Sequence, residues 1–368
     1  VKIDGIELIQ VKMPLRQPFR TSFGTVRERD LLLVRVASPD AEGWAECAAF
    51  GTPMYSSEYV AGALDVVERF LAPRLLERGD VRAEEVAELF APVRGHRMAK
   101  SAVETALLDA QLRARGEPLA HYLGATRDRV PAGVSVGILD SVPELLDVVA
   151  GHLAEGYLRI KLKIAPGWDV EPVRAVRERF GDDLLLQVDA NAAYTLADAP
   201  HLQRLDAFGL LLVEQPLGEE QLRQHAELAR LLRTPICLDE SIVSAESAAD
   251  ALALGACRIV NIKPGRVGGY LEARRVHDVC RAHGAAVWCG GMLETGIGRA
   301  ANVALAGLPG FTVPGDTSAS SRYYEHDLTE PFVLRDGHLD VPAEPGIGVT
   351  PDEAALAERT VEKTWVTA

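Results

Sequence analysis

The chain reads as an α/β protein: a parallel barrel of repeated βα units preceded by a separate α+β domain. From about residue 130, short β-rich runs (VPAGVSVGI, YLRIKLKI, LLLQVDAN, LLLVEQPL, PICLDES, RIVNIKPG, AAVWCGGML, FTVPGDT) recur about every 25 residues, most separated by a helical stretch. Eight such strands favour a closed barrel over an open sheet, because closure leaves no edge to cover. Before residue 125 the order differs. Strand-like DLLLVRVAS and GWAECAAF precede helical runs such as AKSAVETALLDAQLRARG, as expected of an α+β domain. Residues 321–368, punctuated by Pro and Gly, leave the repeat and are expected to fold back on the first domain.

Composition narrows the partners. A hydrophobic fraction of 48% and a charged fraction of 25% are ordinary for a globular protein with a full core. A net charge of −14 argues against nucleic acid or an anionic membrane surface. A small anionic substrate stays possible where a cation and a few lysines reverse the local field. The alternating N-terminal VKIDGIELIQVKMPL lacks the plan of a signal peptide, so cytoplasmic residence is the default expectation. The five cysteines form no CxxC or CxxH cluster, which argues against a disulfide framework or a zinc site. His152, His225 and His277 lie on helical stretches and are expected to be solvated.

The polar residues of the repeat fall at one recurrent place. Lys163 to Asp189 is 26 residues, Asp189 to Glu214 is 25, Glu214 to Asp239 is 25, and Asp239 to Lys263 is 24. Each sits at the C-terminal end of its own strand, and in a barrel these ends form the rim that carries active sites. Period-two alternation turns Arg159, Lys161 and Lys163 inward, opposite Ile160, Leu162 and Ile164. Asp189 likewise faces inward, with Gln187 and Asn191.

Three facing carboxylates repel one another and are costly to desolvate unless neutralised. A hard divalent cation such as Mg²⁺ (or Mn²⁺ or Co²⁺) held by Asp189, Glu214 and Asp239 solves this and leaves room for substrate. Lys163 and Lys263 then stand on opposite sides of the ion as acid/base candidates. That suits removal of a proton α to a carboxylate through an enediolate. Lys161 and the metal are expected to lower the lysine pKa values. Gly265-Arg-Val-Gly-Gly269 reads as a βα turn, and Arg97 and Arg299 carry no role legible in the sequence.

The Lys161-Leu-Lys163 pair, the Asp189/Glu214/Asp239 set, Lys263 and Ala102-Val-Glu-Thr-Ala-Leu-Leu-Asp109 resemble the muconate-lactonising subgroup of the enolase superfamily, over essentially the whole chain. The resemblance implies a (β/α)7β modified TIM barrel over 126–320, with an N-terminal α+β capping domain (1–125) completed by the C-terminal segment (321–368). Gly290-Gly-Met-Leu-Glu-Thr-Gly-Ile-Gly-Arg299 and Gly315-Asp-Thr-Ser-Ala-Ser-Ser-Arg-Tyr323 resemble o-succinylbenzoate synthases that also racemise N-acylamino acids. This implies racemisation of N-acyl or N-succinyl amino acids with synthase activity, or the synthase as the main role in menaquinone biosynthesis. It further implies a homo-oligomer, an octamer being one form.

Lys161, Ser135, Asn191, Phe19, Phe23, Phe50, Tyr55, Gly291, Met292 and Tyr323 are the implied substrate-binding residues. Ser135 and Met292 are expected near the acyl arm, and the aromatic cap residues near an apolar side chain or ring. Dipeptide epimerases carry Asp-x-Asp after the eighth strand to hold an ammonium. Here the site reads Asp316-Thr-Ser318, so a free amine is disfavoured. The rivals are a dipeptide epimerase, a muconate cycloisomerase and, outside catalysis, a degenerate barrel retained for assembly or regulation. The last predicts a lost ligand or base, and none is lost.

Overall fold

The computed structural model describes residues 1–367. Strands β1 (Gly5–Thr21), β2 (Gly24–Ala37) and β3 (Glu42–Cys47) form an antiparallel sheet. After the three-residue strand β4 (Arg129–Pro131), seven parallel strands follow: β5 (Gly133–Val136), β6 (Arg159–Lys163), β7 (Leu185–Asp189), β8 (Val213–Glu214), β9 (Ile236–Leu238), β10 (Ile259–Ile262) and β11 (Ala286–Cys289). β12 (His338–Asp340) pairs with β4, and β13 (Thr360–Val366) pairs with β1 as the fourth strand of the N-terminal sheet. Among the described residues no helix is long and apolar enough to cross a membrane.

The parallel sheet curls because it holds two kinds of face. Ile160, Leu162 and Ile164 point out against Val149, Val173 and Val176 of the surrounding helices, and all are buried. The inner face is polar near the rim and apolar beneath it, where Leu212, Cys237, Ile259 and Trp288 pack together. The expected eighth strand differs from the other seven. FTVPGDT carries a Pro-Gly step in its middle, and it forms no regular strand. It bridges both free edges instead, with Phe311 beside Val287 and Gly315 beside Ala132. Gly133 N donates to Gly315 O (2.7 Å) and Asp316 N to Cys289 O (2.9 Å), which closes the ring.

Helices keep the expected punctuation. Ser141 Oγ accepts from Glu144 N at the start of helix Val142–Glu155, and Gly156 ends it at φ 98°. The long helix Arg97–Arg115 packs between β3 of the N-terminal sheet and helix Pro264–Val267 of the barrel, and is buried from Met98 to Leu112 save for Lys100. Its Glu104 accepts from Leu271 N (3.2 Å) at the start of helix Tyr270–Ala282; burial pushes the Glu104 carboxyl up to about 8. Gly269 (φ 142°) is required there, because a Cβ would collide with the Glu104 carboxylate.

Two expectations fail in the same way. His225 and His277 are buried, not solvated, with His225 Nε2 accepting from Leu217 N (3.2 Å). Burial lowers the His225 pKa to about 4. Both rings face the barrel side of amphipathic helices and satisfy backbone groups there. All five cysteines are buried and free.

Candidate active site

Each charged residue of the rim is delivered by the end of a strand. Lys163 is in register with Asp189, and Asp189 with Glu214. Asp239 and Lys263 immediately follow β9 and β10. Asp189, Glu214 and Asp239 are almost fully inaccessible, at 1%, 0% and 0% exposure. Burial at this level demands compensation, and the chain's own cations provide it. Lys163 Nζ donates to Asp189 Oδ2 (2.5 Å) and Asn191 Oδ1 (2.8 Å). Lys161 Nζ lies 3.2 Å from Glu214 Oε2 and 3.4 Å from Asp189 Oδ2. Lys263 Nζ donates to Asp239 Oδ2 (2.8 Å), and Arg266 closes on Asp239 Oδ1. Asn261 Nδ2 donates to Glu214 Oε1 (2.6 Å).

These contacts set the ionisation of the ring. Burial alone raises Asp189, but Lys163 and Lys161 outweigh it and hold that carboxyl at about 2. Glu214 is raised, first by burial and then by Asp189. Burial and Asp189 push Glu240 to about 7, while Asn191 Nδ2 donates to its Oε1 (3.0 Å). Burial lowers Lys163, and the Asp189 charge opposes that only in part. The expected lowering does not extend to the other lysines. In Lys263 burial is overcome by Tyr55, Glu240, Glu214 and Asp189, and in Lys161 by Asp316, Glu214 and Asp189, so both are raised.

The candidate metal ligands are gathered loosely. Among the described residues no group of three acidic, histidine or cysteine side chains is positioned to hold an ion as it stands. Each carboxylate is turned onto an ammonium or guanidinium instead. Their chemistry fits a hard divalent cation: the donors are oxygen only, buried, and held by lysines whose long stems can withdraw.

The remaining candidates come from the cap and from the strand ends around the ring. Tyr55 reaches from the cap: its hydroxyl donates to Asp239 Oδ1 (3.0 Å) and accepts from Lys263 Nζ (3.1 Å), and its ring lies 4.4 Å from that ammonium. Phe23 and Phe50 each stand with ring centroids 6.3 Å from Tyr55. Phe19 meets Tyr323 edge-on at 6.2 Å. Gly291 is confined, since a Cβ there would lie 3.2 Å from Asp316 O. Ser135 lies beside Lys161 in the barrel; it is buried, and its hydroxyl donates to Asp316 Oδ2 (3.2 Å). Met292 packs into the apolar cluster of the cap.

Several contributors escape a reading of spacing. Arg159 Nη1 donates to Asp316 Oδ1 (2.9 Å), and Lys161 Nζ stands 2.7 Å from Asp316 Oδ2. Asp316 is therefore fully engaged, and those two cations hold its carboxyl well below the usual range against the burial that would raise it. Arg266 comes from the Gly265–Gly269 turn, outside the strand-end repeat. Arg97 lines a cavity of about 280 Å³ with Tyr55, Glu240 and Arg266, and Arg299 ties Ser318 O to Glu294 O.

Comparison with known proteins agrees with this arrangement. Residues 4–124 match the mandelate racemase / muconate lactonizing enzyme N-terminal domain, and residues 144–355 match the enolase C-terminal domain-like family. The chain is 66% identical over 366 residues to an N-succinylamino acid racemase of Amycolatopsis sp, covering 100% of both chains. It is 48% identical over 362 residues to an o-succinylbenzoate synthase of Geobacillus kaustophilus, covering 98% of this chain and 96% of that one. A crystal structure of an enolase superfamily member from Listeria innocua superposes with a TM-score of 0.95 at 39% identity, covering 99% of each chain. With both domains matched and enzymes among its relatives across the full length, the chain belongs to the mandelate racemase / muconate lactonizing enzyme group of the enolase superfamily, whose enzymes depend on metal.

Proposed function

We propose that this enzyme racemises N-acylamino acids, N-succinyl derivatives foremost, and also catalyses the o-succinylbenzoate synthase dehydration. One observation carries the reading: Lys163 and Lys263 flank three buried carboxylates on consecutive strand ends, so a substrate bound between them meets a base on either face. The relatives named for these two activities support the choice of substrates. So does Asp316, which is committed to Arg159, Lys161 and Ser135 and is not free to hold an ammonium. An acylated nitrogen needs no such partner.

Asp189, Glu214 and Asp239 would hold the metal, Mg²⁺ or alternatively Mn²⁺ or Co²⁺. When bound it would supply positive charge to the substrate carboxylate as the α-carbon loses its proton. Lys163 takes the proton from one face and Lys263 returns one to the other; the reverse reaction exchanges the roles. In the dehydration, Lys163 removes the proton and protonates the departing hydroxyl, while Lys263 stays charged and steadies the developing enediolate. Lys161, fixed by Asp316 and Glu214, presents a permanent cation to the substrate carboxylate. Phe19, Phe23, Phe50, Tyr55 and Tyr323 supply the apolar wall against side chain and acyl group. Residues 1–125 with 321–368 thus act as cap and 126–320 as catalytic barrel, in a homo-oligomer.

The test is direct. Each enantiomer of an N-succinylamino acid, the synthase substrate, cis,cis-muconate and a free-amine dipeptide are incubated with the purified enzyme and Mg²⁺ or Mn²⁺. Turnover of the first two is expected. Turnover of muconate alone, or of a free-amine dipeptide in preference to the N-acyl substrates, overturns the proposal.

A further inference from the structure

The strand that carries Glu214 is the shortest in the barrel, with two residues in β8. The chain leaves it at once through Gln215, which sits at φ 37° although it is not glycine, and is fully buried. A left-handed, non-glycine residue persists only where its surroundings over-determine it. The surroundings here are three strand ends. Gln215 N donates to Cys237 O (2.9 Å) below Asp239, and Gln215 O accepts from Ala192 N (2.8 Å) just after Asp189. The side chain reaches further along the same line. Its Oε1 accepts from Asp239 N (3.0 Å) and Ser241 N (3.3 Å), and its Nε2 donates to Ser241 Oγ (2.8 Å) and Leu217 O (3.0 Å).

Every polar group of Gln215 is therefore used, and the partners lie on the ends of β7, β8 and β9. Those are the three strands that deliver Asp189, Glu214 and Asp239. Asn191 (φ 43°) and Ala192 (φ 61°), on the β7 side of the same contact, are also left-handed. Conformations disfavoured in isolation thus cluster where the three ends are tied together. Ser241 extends the tie, since its hydroxyl also donates to Glu219 O (2.7 Å).

We propose that Gln215 is a positioning residue that sets the spacing of the three metal-ligand strand ends, and that its side chain tunes cation affinity without touching substrate. This rests on the reading of Asp189, Glu214 and Asp239 as the metal site. The amide is the group that does this. A carboxylate in its place would keep the acceptor and lose both donations, and an alkyl chain would lose all four bonds while filling the same space.

The experiment measures Mn²⁺ binding to the intact protein by the loss of the free-ion EPR signal, without substrate. Gln215→Met and Ser241→Ala are compared with the parent. Folding is checked by circular dichroism and thermal unfolding. Gln215→Met is expected to weaken Mn²⁺ binding by about tenfold or more, and Ser241→Ala by about threefold. The double variant should be weakened by less than the product, because both substitutions cut one network. A folded Gln215→Met that binds Mn²⁺ within about twofold of the parent overturns the brace. If that variant does not fold, a folded Ser241→Ala with parental affinity overturns it equally. A parent that binds no Mn²⁺ overturns the metal reading itself, which separates the two failures.

Discussion

The two lysines occupy equivalent places in the repeat and very different surroundings. Lys163 donates to two groups at the neighbouring β7 end, Asp189 and Asn191, and burial lowers its pKa. Lys263 sits beneath an aromatic ring from the cap, shares Asp239 with Arg266, and is raised. A symmetric reaction can thus run on an asymmetric pair. Lys163 belongs to the barrel alone, whereas the environment of Lys263 is completed by the cap through Tyr55. Equal spacing in sequence fixes where a group stands on the rim, and neighbours from other elements decide how it behaves.

The largest test of that comparison removes what both lysines share. Stripping divalent cations with a chelator should abolish turnover by about a thousandfold or more, restored by Mg²⁺ or Mn²⁺; full turnover in excess chelator breaks the reading. Next, Lys163→Ala and Lys263→Ala should each lower racemisation by about a thousandfold. Each variant should still exchange the α-proton of one enantiomer with D₂O, and the two should prefer opposite enantiomers. NMR follows this directly, and the same preference in both variants would show that the lysines do not serve opposite faces.

A smaller effect sharpens the contrast. Tyr55→Phe removes one hydroxyl between Asp239 and Lys263. Loss of a hydrogen bond to a charged group should slow exchange by about tenfold in the Lys163→Ala background, where Lys263 works alone. In the Lys263→Ala background the same change should cost about twofold or less. Equal slowing in both would mean that the cap does not distinguish the two sides.

The last effect is on stability and lies outside the rim. His225 has a folded pKa of about 4 against an ordinary value of 6.5, so the unfolded chain takes up a proton first as pH falls. Its neutral form therefore stabilises the fold fully above about pH 6.5, and that contribution is lost between about 6.5 and 4, amounting to about 3 kcal/mol. Unfolding of His225→Gln across this range should show a correspondingly flatter acid limb than the parent. An identical slope would place the acid sensitivity elsewhere.

Much of this was legible in the residues, for a physical reason. Strand period and repeat length act on every unit alike, so Lys163, Asp189, Glu214, Asp239 and Lys263 could be set on one rim before any coordinates. The contacts that differentiate them are not periodic. Arg266 swings back from a turn, Gln215 works through a left-handed backbone, and Asp316 is captured by Arg159 across the ring. The bond from the Ser135 hydroxyl to Asp316 joins the first strand end to the last, and no local pattern announces it. The eighth strand was overcounted because FTVPGDT has strand composition around a Pro-Gly step that cannot hold a ladder.

The pairing of β13 with β1 has a consequence for how the molecule is made. Ile6 lies opposite Val366 and Val11 opposite Thr360, so neighbours in the sheet are separated by most of the chain. During synthesis the outer edge of β1 must wait, bare, until the whole barrel has emerged. A ribosome that stalls within the barrel leaves the Ile6–Val11 edge of β1 open, a template for joining another nascent chain. The strand that makes β1 safe, β13, is synthesised only after the barrel it frames.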